Sequence, residues 1–465
     1  MTYSSSPNHI FYITKEDVLI ALHQQSGRWC SLGLGEISNE IVPDGIWDWV
    51  SLPLTSERKD EILEAVAPAL DDDGEGAWDD DRSFEYMLVK CTSECNYCCT
   101  YCYDHDEVDT GNNLNAEEVC RLVKEGIESS SNGYFTLLFH GGEPLLRFEF
   151  VRRVAEFAKD IADKSNVRLF FKLQTHGGLF SDAVIEFLDE YDFFVGVSVD
   201  GPKEINDKHR VLKNGSGTYH LFESAYKKYR DFMKNNCGIV TTPTTISAEH
   251  FLNIARHFRD MGFRGWRTTN FLAVGRVQDD WSLETDESTY VNSVLGLIDA
   301  IEDGEFDGFY IDPVISFLTN LLSDERPNMC MPGNNSCGAG RRFISVEADG
   351  AILPCDTLPR DQYVTGQISE NNLNDILAHQ NAQNIADSLP RNDCKECVLL
   401  GVCGGTCLGL STLENNRPFL CKAYKKLYPE LMYRMHFSER LREYYESCMN
   451  VEDKYLGLIE QEAIA

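Results

Sequence analysis

Three cysteines in the first third of the chain, Cys95, Cys99 and Cys102, have three and then two residues between them. Three thiolates at this spacing can hold three irons of a 4Fe-4S cube, and the missing fourth ligand leaves one iron open to chemistry. A zinc site would instead need a fourth donor to close its tetrahedron, and His105 could supply it. The residue types therefore predict a metal centre and favour an iron-sulfur cluster with an open iron.

Two sets of three cysteines could form this site, because Cys91, Cys95 and Cys98 have the same spacing as the first set. We call the choice between the two sets the register of the site. Eight more cysteines lie between residues 330 and 421: Cys330, Cys337, Cys355, Cys394, Cys397, Cys403, Cys407 and Cys421. Spacing of the CxxC kind alone would fit a pair of zinc ribbons. It also fits iron-sulfur clusters that are fully ligated by protein.

The elements that must position these cysteines are visible as alternating apolar runs and amphipathic patterns. Strands are predicted over residues 86–90, 135–139, 169–174, 193–199, 238–244 and 267–272. Helices are predicted over residues 116–127, 148–162, 183–188, 219–233 and 248–261. Repeated strand and helix units predict an α/β fold with a parallel sheet, either open and doubly wound or a barrel of the TIM kind. In both folds, ligands bind at the carboxyl ends of the strands.

The chain is expected to divide into several units, because 465 residues exceed one ordinary core. The predicted units are a small N-terminal α+β domain, the barrel, a cysteine-rich region and a helical tail, over residues 1–80, 84–320, 325–425 and 426–465. In the first unit, strand-like runs cover residues 9–14, 18–23 and 29–32, helical spacing covers 56–70, and an acidic linker covers 71–76. In the cysteine-rich region, apolar runs at 343–346 and 351–353 flank Asp349 and Gly350 and predict a hairpin.

The composition limits the classes of partner and the cell compartments that we expect for the protein. Lysine and arginine total 42 against 75 aspartates and glutamates, for a net charge of -33. Such a field repels phosphates and anionic lipid heads, so neither a nucleic acid nor a membrane partner is expected. The segment from Met1 to Phe11 does not have the pattern of a secretory signal. A cytoplasmic protein is expected, in which clustered thiols serve metal or catalysis.

The run of residues 95–103, CNYCCTYCY, resembles the signature of the radical S-adenosylmethionine (SAM) superfamily. In that superfamily an aromatic residue commonly precedes the last cysteine and lies by the adenine of SAM, a role that the resemblance gives to Tyr101. The resemblance also favours the later register and leaves Cys91 and Cys98 as spare thiols. It implies a partial (β/α)6 TIM-like barrel.

Motifs at the ends of later strands extend the resemblance. Gly141, Gly142 and Glu143 precede a proline and match the family motif that meets the amino group of SAM. Glycines let backbone approach a ligand, and a carboxylate pairs with an ammonium. Gln174 and Ser198 end the third and fourth strands, where a ligand should lie.

Further along, Asp207 and Arg210 resemble elements of many members that carry a SPASM extension, and the resemblance implies that Arg210 helps to bind the cofactor. An ordinary surface ion pair between them is the alternative.

The C-terminal cysteines closely resemble that SPASM extension, which in its fuller form carries two auxiliary 4Fe-4S clusters. The resemblance implies a first auxiliary site at Cys330, Cys337, Cys355 and Cys407. It implies a second auxiliary site at Cys394, Cys397, Cys403 and Cys421. Complete protein ligation suits electron transfer. The isolated cysteines are expected to be core or surface thiols: Cys30, Cys120, Cys237 and Cys448.

The resemblance implies an enzyme whose cofactors are SAM and three 4Fe-4S clusters. In this family a reduced cluster donates an electron to SAM, methionine leaves, and a 5'-deoxyadenosyl radical takes a hydrogen atom from an unactivated carbon. The auxiliary clusters can accept the electron left on the substrate, so that the net change is an oxidation. A low-potential electron donor such as flavodoxin or ferredoxin is the implied partner.

Two substrate classes are compatible with this chemistry. Enzymes that mature ribosomally made peptides, for example by crosslink or thioether formation, often bind the leader of a precursor peptide as an added strand. Anaerobic sulfatase-maturating enzymes form formylglycine with an aspartate base, which would be Asp356 beside Cys355. The N-terminal unit favours peptide maturation. A non-catalytic electron carrier is a third hypothesis, and it would need neither an open iron nor the glycine motif.

Overall fold

The computed structural model describes residues 10–15, 18–24, 26–33, 50–51, 84–104, 111–277, 280–323, 337–387, 394–405, 407–413 and 419–449. Several sequence predictions lie outside these residues: the helix at 56–70, the acidic linker at 71–76, His105 and Cys330. Within the described residues, no helix is long and apolar enough to cross a membrane.

A small antiparallel sheet forms the N-terminal unit. Its strands are β1 Ile10–Lys15, β2 Val18–His23, β3 Trp29–Gly33 and β4 Val50–Ser51. The order is β3-β2-β1-β4, so β3 lies at one edge. The three predicted strands are present, and β2 is buried along its whole length. Strand β4 was not predicted, because two residues leave no periodicity to read.

A second sheet contains ten strands and carries the candidate site. Its strands are β5 Tyr86–Lys90, β6 Tyr134–His140, β7 Arg168–Thr175, β8 Phe194–Ser198, β9 Cys237–Thr241, β10 Gly265–Thr268, β11 Tyr310–Ile311, β12 Phe343–Val346, β13 Ala351–Leu353 and β14 Gly366–Gln367. Strands β5 to β11 are parallel and follow one another in sheet order. A doubly wound sheet would reverse this order at a switch point. The sheet is therefore an open, partial barrel, which confirms the barrel prediction.

Helices connect the parallel strands and cover the sheet. They are α1 Ala116–Ser129, α2 Phe148–Ser165, α3 Asp182–Glu190, α4 Lys203–His209, α5 Tyr219–Lys228, α6 Arg230–Asn236, α7 Thr245–Ala248, α8 Phe251–Met261, α9 Glu287–Glu302 and α10 Asp312–Leu322. Helix α1 illustrates why these helices cover the sheet. It is amphipathic and buries one apolar face, which contains Val119, Leu122, Val123 and Ile127. The helix predicted over 219–233 is two helices in the structure. The helical conformation is interrupted at Tyr229, where φ is -117° and ψ is 35°.

The cysteine-rich region continues the barrel sheet. Strand β12 pairs in parallel with β5, with Val346 opposite Val89, and β13 returns antiparallel as the predicted hairpin. Gly350 adopts the positive φ of 88° that the turn requires. The remaining helices are α11 Arg360–Tyr363, α12 Leu373–Ala378, α13 Gln380–Asp387, α14 Leu400–Cys403, α15 Leu408–Leu413, α16 Phe419–Phe437 and α17 Arg440–Met449. Helix α16 packs on β2 and β3, so the tail joins the N-terminal sheet to the rest of the molecule.

Candidate active site

The loop after β5 brings Cys95, Cys99 and Cys102 together. The amide of Cys102 donates a 3.3 Å hydrogen bond to the carbonyl of Cys99. Burial raises the pKa of Cys95, and the Glu143 carboxylate and the thiols of Cys99 and Cys102 raise it further. Neighbouring thiolates repel one another, so such closely spaced thiols do not readily ionise alone, whereas a bound metal deprotonates its thiol ligands outright. The three side chains therefore fit the cluster that the sequence predicts.

Cys91, which belongs to the earlier register, lies in different surroundings. It is fully buried at the end of β5, and its amide donates a 2.9 Å hydrogen bond to His140. Burial raises its pKa, and the charged neighbours that also act on it are Arg147 and Glu143. These surroundings favour the later register, which stays a prediction.

The end of α4 and the residues that follow it hold the cysteine loop in place. The amide of Cys98 donates 2.7 Å to the carbonyl of Val211, and that of Thr100 donates 2.9 Å to the carbonyl of His209. The Thr100 hydroxyl also lies 2.8 Å from Nδ1 of His209. The loop geometry therefore depends on a segment more than a hundred residues away.

The glycine motif after β6 packs against the same loop. A Cβ atom at Gly141 would lie 2.6 Å from the Thr92 carbonyl oxygen, and one at Gly142 would lie 2.2 Å from that of Glu94. The amide of Gly142 donates 2.8 Å to Thr92. Only glycines allow this approach of two backbones, so the motif and the cysteine loop form one structural unit.

The carboxylate of Glu143 is turned into the protein. It accepts hydrogen bonds from the Thr175 hydroxyl at 2.7 Å, the His176 amide at 3.0 Å and the Leu145 amide at 3.1 Å. Glu143 is 1% exposed. Its carboxylate therefore fixes the motif to the end of β7, and its pairing with an ammonium stays a prediction.

Tyr101 lies in a buried group with two charged residues. Its hydroxyl donates a 2.5 Å hydrogen bond to Oδ2 of Asp200, and Nη2 of Arg210 lies 3.0 Å from Oδ1 of the same carboxylate. Burial alone would lower the pKa of Arg210, but Asp200 and the neighbouring Tyr101 and Cys99 raise it above its usual value. The Nε atom of Arg210 is buried without a hydrogen-bond partner among the described residues.

The alternative prediction, that Asp207 and Arg210 form an ordinary surface ion pair with each other, is wrong. Arg210 is buried and pairs with Asp200, whereas Asp207 pairs with Lys203 at 2.7 Å.

Two other predicted SAM-binding residues meet at the ends of neighbouring strands. The amide group of Gln174 on β7 donates a 2.7 Å hydrogen bond to the hydroxyl of Ser198 on β8. Gly196 makes room for this contact, because a Cβ atom there would lie 2.2 Å from Oε1 of Gln174. The structure therefore brings both side chains to the strand ends as expected, and their SAM contact stays a prediction.

His176 is a site residue that the sequence reasoning missed. Its ring stacks on Tyr97 of the cysteine loop, with ring centroids 3.6 Å apart, and its Nε2 lies 2.8 Å from Asn96 and 3.2 Å from Glu143. Burial lowers its pKa, so the ring is neutral near pH 7. Its position directly after Thr175 at a strand end was the available signal.

The first auxiliary site is partly described. Cys337 and Cys355 pack against one small core formed by Ala339, Phe343, Leu358 and Ile385. Burial raises the pKa of Cys355, and Asp356 and Cys407 raise it further. These thiols therefore gather as the resemblance implies, while Cys330 lies outside the described residues.

Asp356, the proposed base, contacts the cysteine loop of the barrel. Its Oδ2 accepts a 2.9 Å hydrogen bond from the hydroxyl of Tyr103, the residue after Cys102. The structure therefore brings the cysteine-rich region and the cysteine loop after β5 into direct contact at this carboxylate.

Lys90 is a second residue that the sequence reasoning missed. Its buried ammonium lies 2.6 Å from Asp104 and 2.8 Å from Glu347, which follows β12. Burial alone would lower the pKa of Lys90, but Asp104, Glu347 and Asp356 raise it well above its usual value. A lysine at the end of an apolar strand was the signal, since an unpaired charge would not be buried there.

The cysteines predicted to form the second auxiliary site lie around helix α14. Burial raises the pKa of Cys403 at its end, and the thiols of Cys397, Cys421 and Cys394 raise it further. Gly405 has a positive φ of 91°, and a Cβ atom there would lie 3.5 Å from Sγ of Cys394. The backbone at Gly405 therefore lies next to this thiol. The four half-buried side chains thus lie close to one another, as a cluster requires.

The described members of these three groups do not have the geometry of single-ion sites. In the described part of the chain, no three His, Cys, Asp or Glu side chains converge closely enough to hold one metal ion. A cube cluster does not need such convergence, because each cysteine binds its own iron. Of the isolated cysteines, Cys120, Cys237 and Cys448 are buried and Cys30 is partly exposed.

Two family models match the chain. The radical SAM superfamily matches residues 89–287, which include the cysteine loop, the glycine motif and the ends of β7 and β8. SPASM, an iron-sulfur cluster-binding domain, matches residues 337–398 and contains Cys337, Cys355, Cys394 and Cys397. The remaining described SPASM-region cysteines lie just beyond this match.

Known proteins and solved structures resemble the chain over most of its length. A cysteine-type anaerobic sulfatase-maturating enzyme of Clostridium novyi is 28% identical over 340 residues, which cover 70% of this chain and 88% of that protein. The structure of native anSMEcpe with bound AdoMet and Cp18Cys peptide has a TM-score of 0.66 at 23% identity and covers 76% of this chain and 98% of its own. Streptococcus suis SuiB bound to precursor peptide SuiA has a TM-score of 0.55 at 14% identity and covers 90% and 99%.

The fold, the grouped cysteines and the two family models all indicate the same pair of domains. SAM and iron-sulfur clusters are the cofactors of this pair of domains. The individual cluster ligands stay predictions. The chain is an enzyme of the radical SAM superfamily that carries a C-terminal SPASM domain.

Proposed function

We propose that the enzyme oxidises a residue of a ribosomally made precursor peptide and that the N-terminal sheet binds the leader segment of that peptide. The observation that carries this proposal is the position of β3. It lies at the sheet edge, and no other strand in the described ranges pairs with its outer side. An edge strand offers a row of backbone donors and acceptors to an added strand.

The likeness to SuiB supports this proposal. It extends over more of the chain than the likeness to anSMEcpe, and the SuiB structure holds a precursor peptide. A neutral or cationic peptide also suits a protein with a net charge of -33.

The chain's own residues orient and enclose the reacting groups. When bound, the cluster and SAM supply the one-electron chemistry that opens a substrate C–H bond. Gln174 and Ser198 present polar groups at adjacent strand ends. Asp356 is the proposed acceptor of the proton that leaves the oxidised residue, and the Tyr103 hydroxyl orients its carboxylate.

Formylglycine formation is the second candidate, and two observations favour it. The carboxylate of Asp356 contacts the SAM-cluster loop, as a base near the reacting carbon should. The sulfatase-maturating relative also matches over 88% of its length. Both candidates oxidise a side chain in a peptide, and they differ in the bond formed.

Mass spectrometry of peptide products distinguishes the two candidates. The anaerobically reconstituted enzyme is given SAM, a reductant and either the precursor peptide encoded beside its gene or a cysteine-containing sulfatase peptide. A precursor that loses two hydrogens and keeps all its heavy atoms supports peptide maturation. A sulfatase peptide whose cysteine becomes an aldehyde and loses its sulfur supports the second candidate. Unchanged peptides of both kinds would contradict both.

A further inference from the structure

The turn between β2 and β3 contacts the second auxiliary site directly. Nε2 of Gln24 donates hydrogen bonds to the carbonyl oxygens of Lys395 at 3.2 Å and Cys397 at 3.1 Å. In return, the amide of Gly401 donates a 2.7 Å hydrogen bond to the carbonyl of Gln24. Gln24 is 6% exposed, so water does not compete freely for these contacts.

Backbone packing makes the contact close. A Cβ atom at Gly401 would lie 2.2 Å from the amide nitrogen of Gly27, so only glycine fits where the turn meets helix α14. Apolar residues on both sides, among them Leu22 and Val402, belong to one continuous core. The N-terminal sheet is therefore docked on this loop and is more than a unit tethered by a linker.

Helix α16 forms a second, independent link. It carries Cys421 in its first turn and packs on β2 and β3. Near its other end, Nδ1 of His436 lies 3.0 Å from the hydroxyl of Ser31 on β3. All four cysteines assigned to the second auxiliary site thus lie on segments that contact the N-terminal sheet.

We propose that Gln24 is a positioning residue of the second auxiliary site, and that the N-terminal sheet completes this site. Gln24 holds the turn from Cys394 to Cys397 in the shape that binds a cluster. Without its amide group, two partly buried carbonyls lose a donor and the turn relaxes. The proposal depends on the assignment of Cys394, Cys397, Cys403 and Cys421 to one cluster, and it does not depend on which substrate the enzyme oxidises.

Iron release tests this proposal without SAM or peptide. Gln24→Met keeps the side-chain length and removes the donor. The full chain is reconstituted anaerobically, and the release of iron to a ferrous chelator is followed over time. About four of about twelve irons should leave roughly tenfold faster than in the unchanged protein, because one site has lost hydrogen bonds that hold it. Gly401→Ala, which forces the turn and the loop apart, should have the same effect.

Two comparisons assign the effect to this site. Ser26→Ala lies in the same turn, but the Ser26 hydroxyl contacts His23 and Arg28 inside the turn, so its iron release should match that of the unchanged protein. In a Cys421→Ala background, where the second site is already open, Gln24→Met should add nothing. Release from Gln24→Met and Gly401→Ala at the unchanged rate would overturn the proposal, as would an equal acceleration by Ser26→Ala.

Discussion

The hydroxyl of Tyr103 donates a 2.9 Å hydrogen bond to Oδ2 of Asp356, across 253 residues of sequence. Tyr103 follows a predicted ligand of the SAM cluster, and Asp356 follows a predicted ligand of the first auxiliary cluster. This hydrogen bond therefore joins the loops of two predicted cluster sites, and it ends on the carboxylate that we propose as the base.

Tyr103→Phe tests whether this hydrogen bond orients the carboxylate during peptide oxidation. A hydrogen bond to a charged group contributes about 1.5–3 kcal/mol, so peptide product should form about 10- to 150-fold more slowly. Cleavage of SAM to 5'-deoxyadenosine should persist, because the cluster ligands are unchanged. Product is measured by mass spectrometry and 5'-deoxyadenosine by chromatography in the same samples.

Tyr134→Phe is the matched control, since its hydroxyl donates a 2.7 Å hydrogen bond to Glu85, another carboxylate. It should leave the ratio of product to 5'-deoxyadenosine unchanged. An unchanged ratio in Tyr103→Phe as well would mean that Asp356 needs no orientation by this hydroxyl.

Lys90→Met should destabilise the protein strongly. The ammonium of Lys90 lies between Asp104 and Glu347, and its loss would leave two buried carboxylates without their cation. Breaking a buried ion pair in this way costs about 3–5 kcal/mol, which a denaturant titration of the anaerobic protein would detect. Lys159→Met, which removes an exposed partner of Asp163 on α2, should change stability by less than about 0.5 kcal/mol. Equal stabilities of the two variants would show that the buried ion pair contributes little.

Much of the barrel could be predicted because buried parallel strands are short apolar runs between turn signals. The strand Val18–His23 and the hairpin strands Phe343–Val346 and Ala351–Leu353 have the predicted bounds. The break at Tyr229 could not be predicted, because it depends on the backbone angles of one residue and leaves the apolar spacing intact.

The candidate site also has a part that could be predicted from the sequence and a part that could not. Cysteines are recognised by type and spacing, and the structure groups the described members of each predicted set. The contacts of Lys90 with Glu347 and of Gln24 with Cys397 were not predictable, because they join segments far apart in the chain. The latter pair is separated by 373 residues. Such pairs are created by tertiary packing, and no local pattern encodes them.

The register of the SAM cluster can be decided by three single substitutions. Cys91→Ala and Cys98→Ala should each keep SAM cleavage, whereas Cys102→Ala should lose it. The physical reason is that Cys91 lies buried against β5, with its Sγ 3.6 Å from the carbonyl of Val89. Formation of 5'-deoxyadenosine under reducing, oxygen-free conditions is the measurement. Loss of activity in Cys91→Ala with retention in Cys102→Ala would move the cluster to the earlier triplet.

Metal content should follow the same assignment. The reconstituted protein should hold about twelve irons and twelve sulfides, if three 4Fe-4S clusters form. The combined change of Cys95, Cys99 and Cys102 to alanine should leave about eight irons and abolish SAM cleavage. Iron and sulfide analysis checks both numbers. Stoichiometric zinc without iron in the native protein would contradict the cluster assignment.

Ser31→Pro tests leader binding at the edge of the N-terminal sheet. The amide of His23 donates to the carbonyl of Arg28, so in the alternating antiparallel pattern the backbone groups of Ser31 point away from β2. Proline at this position removes an outward donor and spares the bonds between β2 and β3. The affinity for the precursor peptide, measured by fluorescence anisotropy, should therefore fall by about tenfold, as expected for one lost backbone hydrogen bond and a displaced strand.

Ser31→Ala is the control, because it removes only the hydroxyl that contacts His436 and keeps the backbone donor. Its affinity should stay close to that of the unchanged enzyme. Point substitutions are preferable to deletion of the N-terminal unit, since the Gln24 turn contacts the second auxiliary site and deletion would disturb both functions. Equal affinities of the proline variant and the unchanged enzyme, with iron content preserved, would place the leader elsewhere and favour formylglycine formation with Asp356 as base.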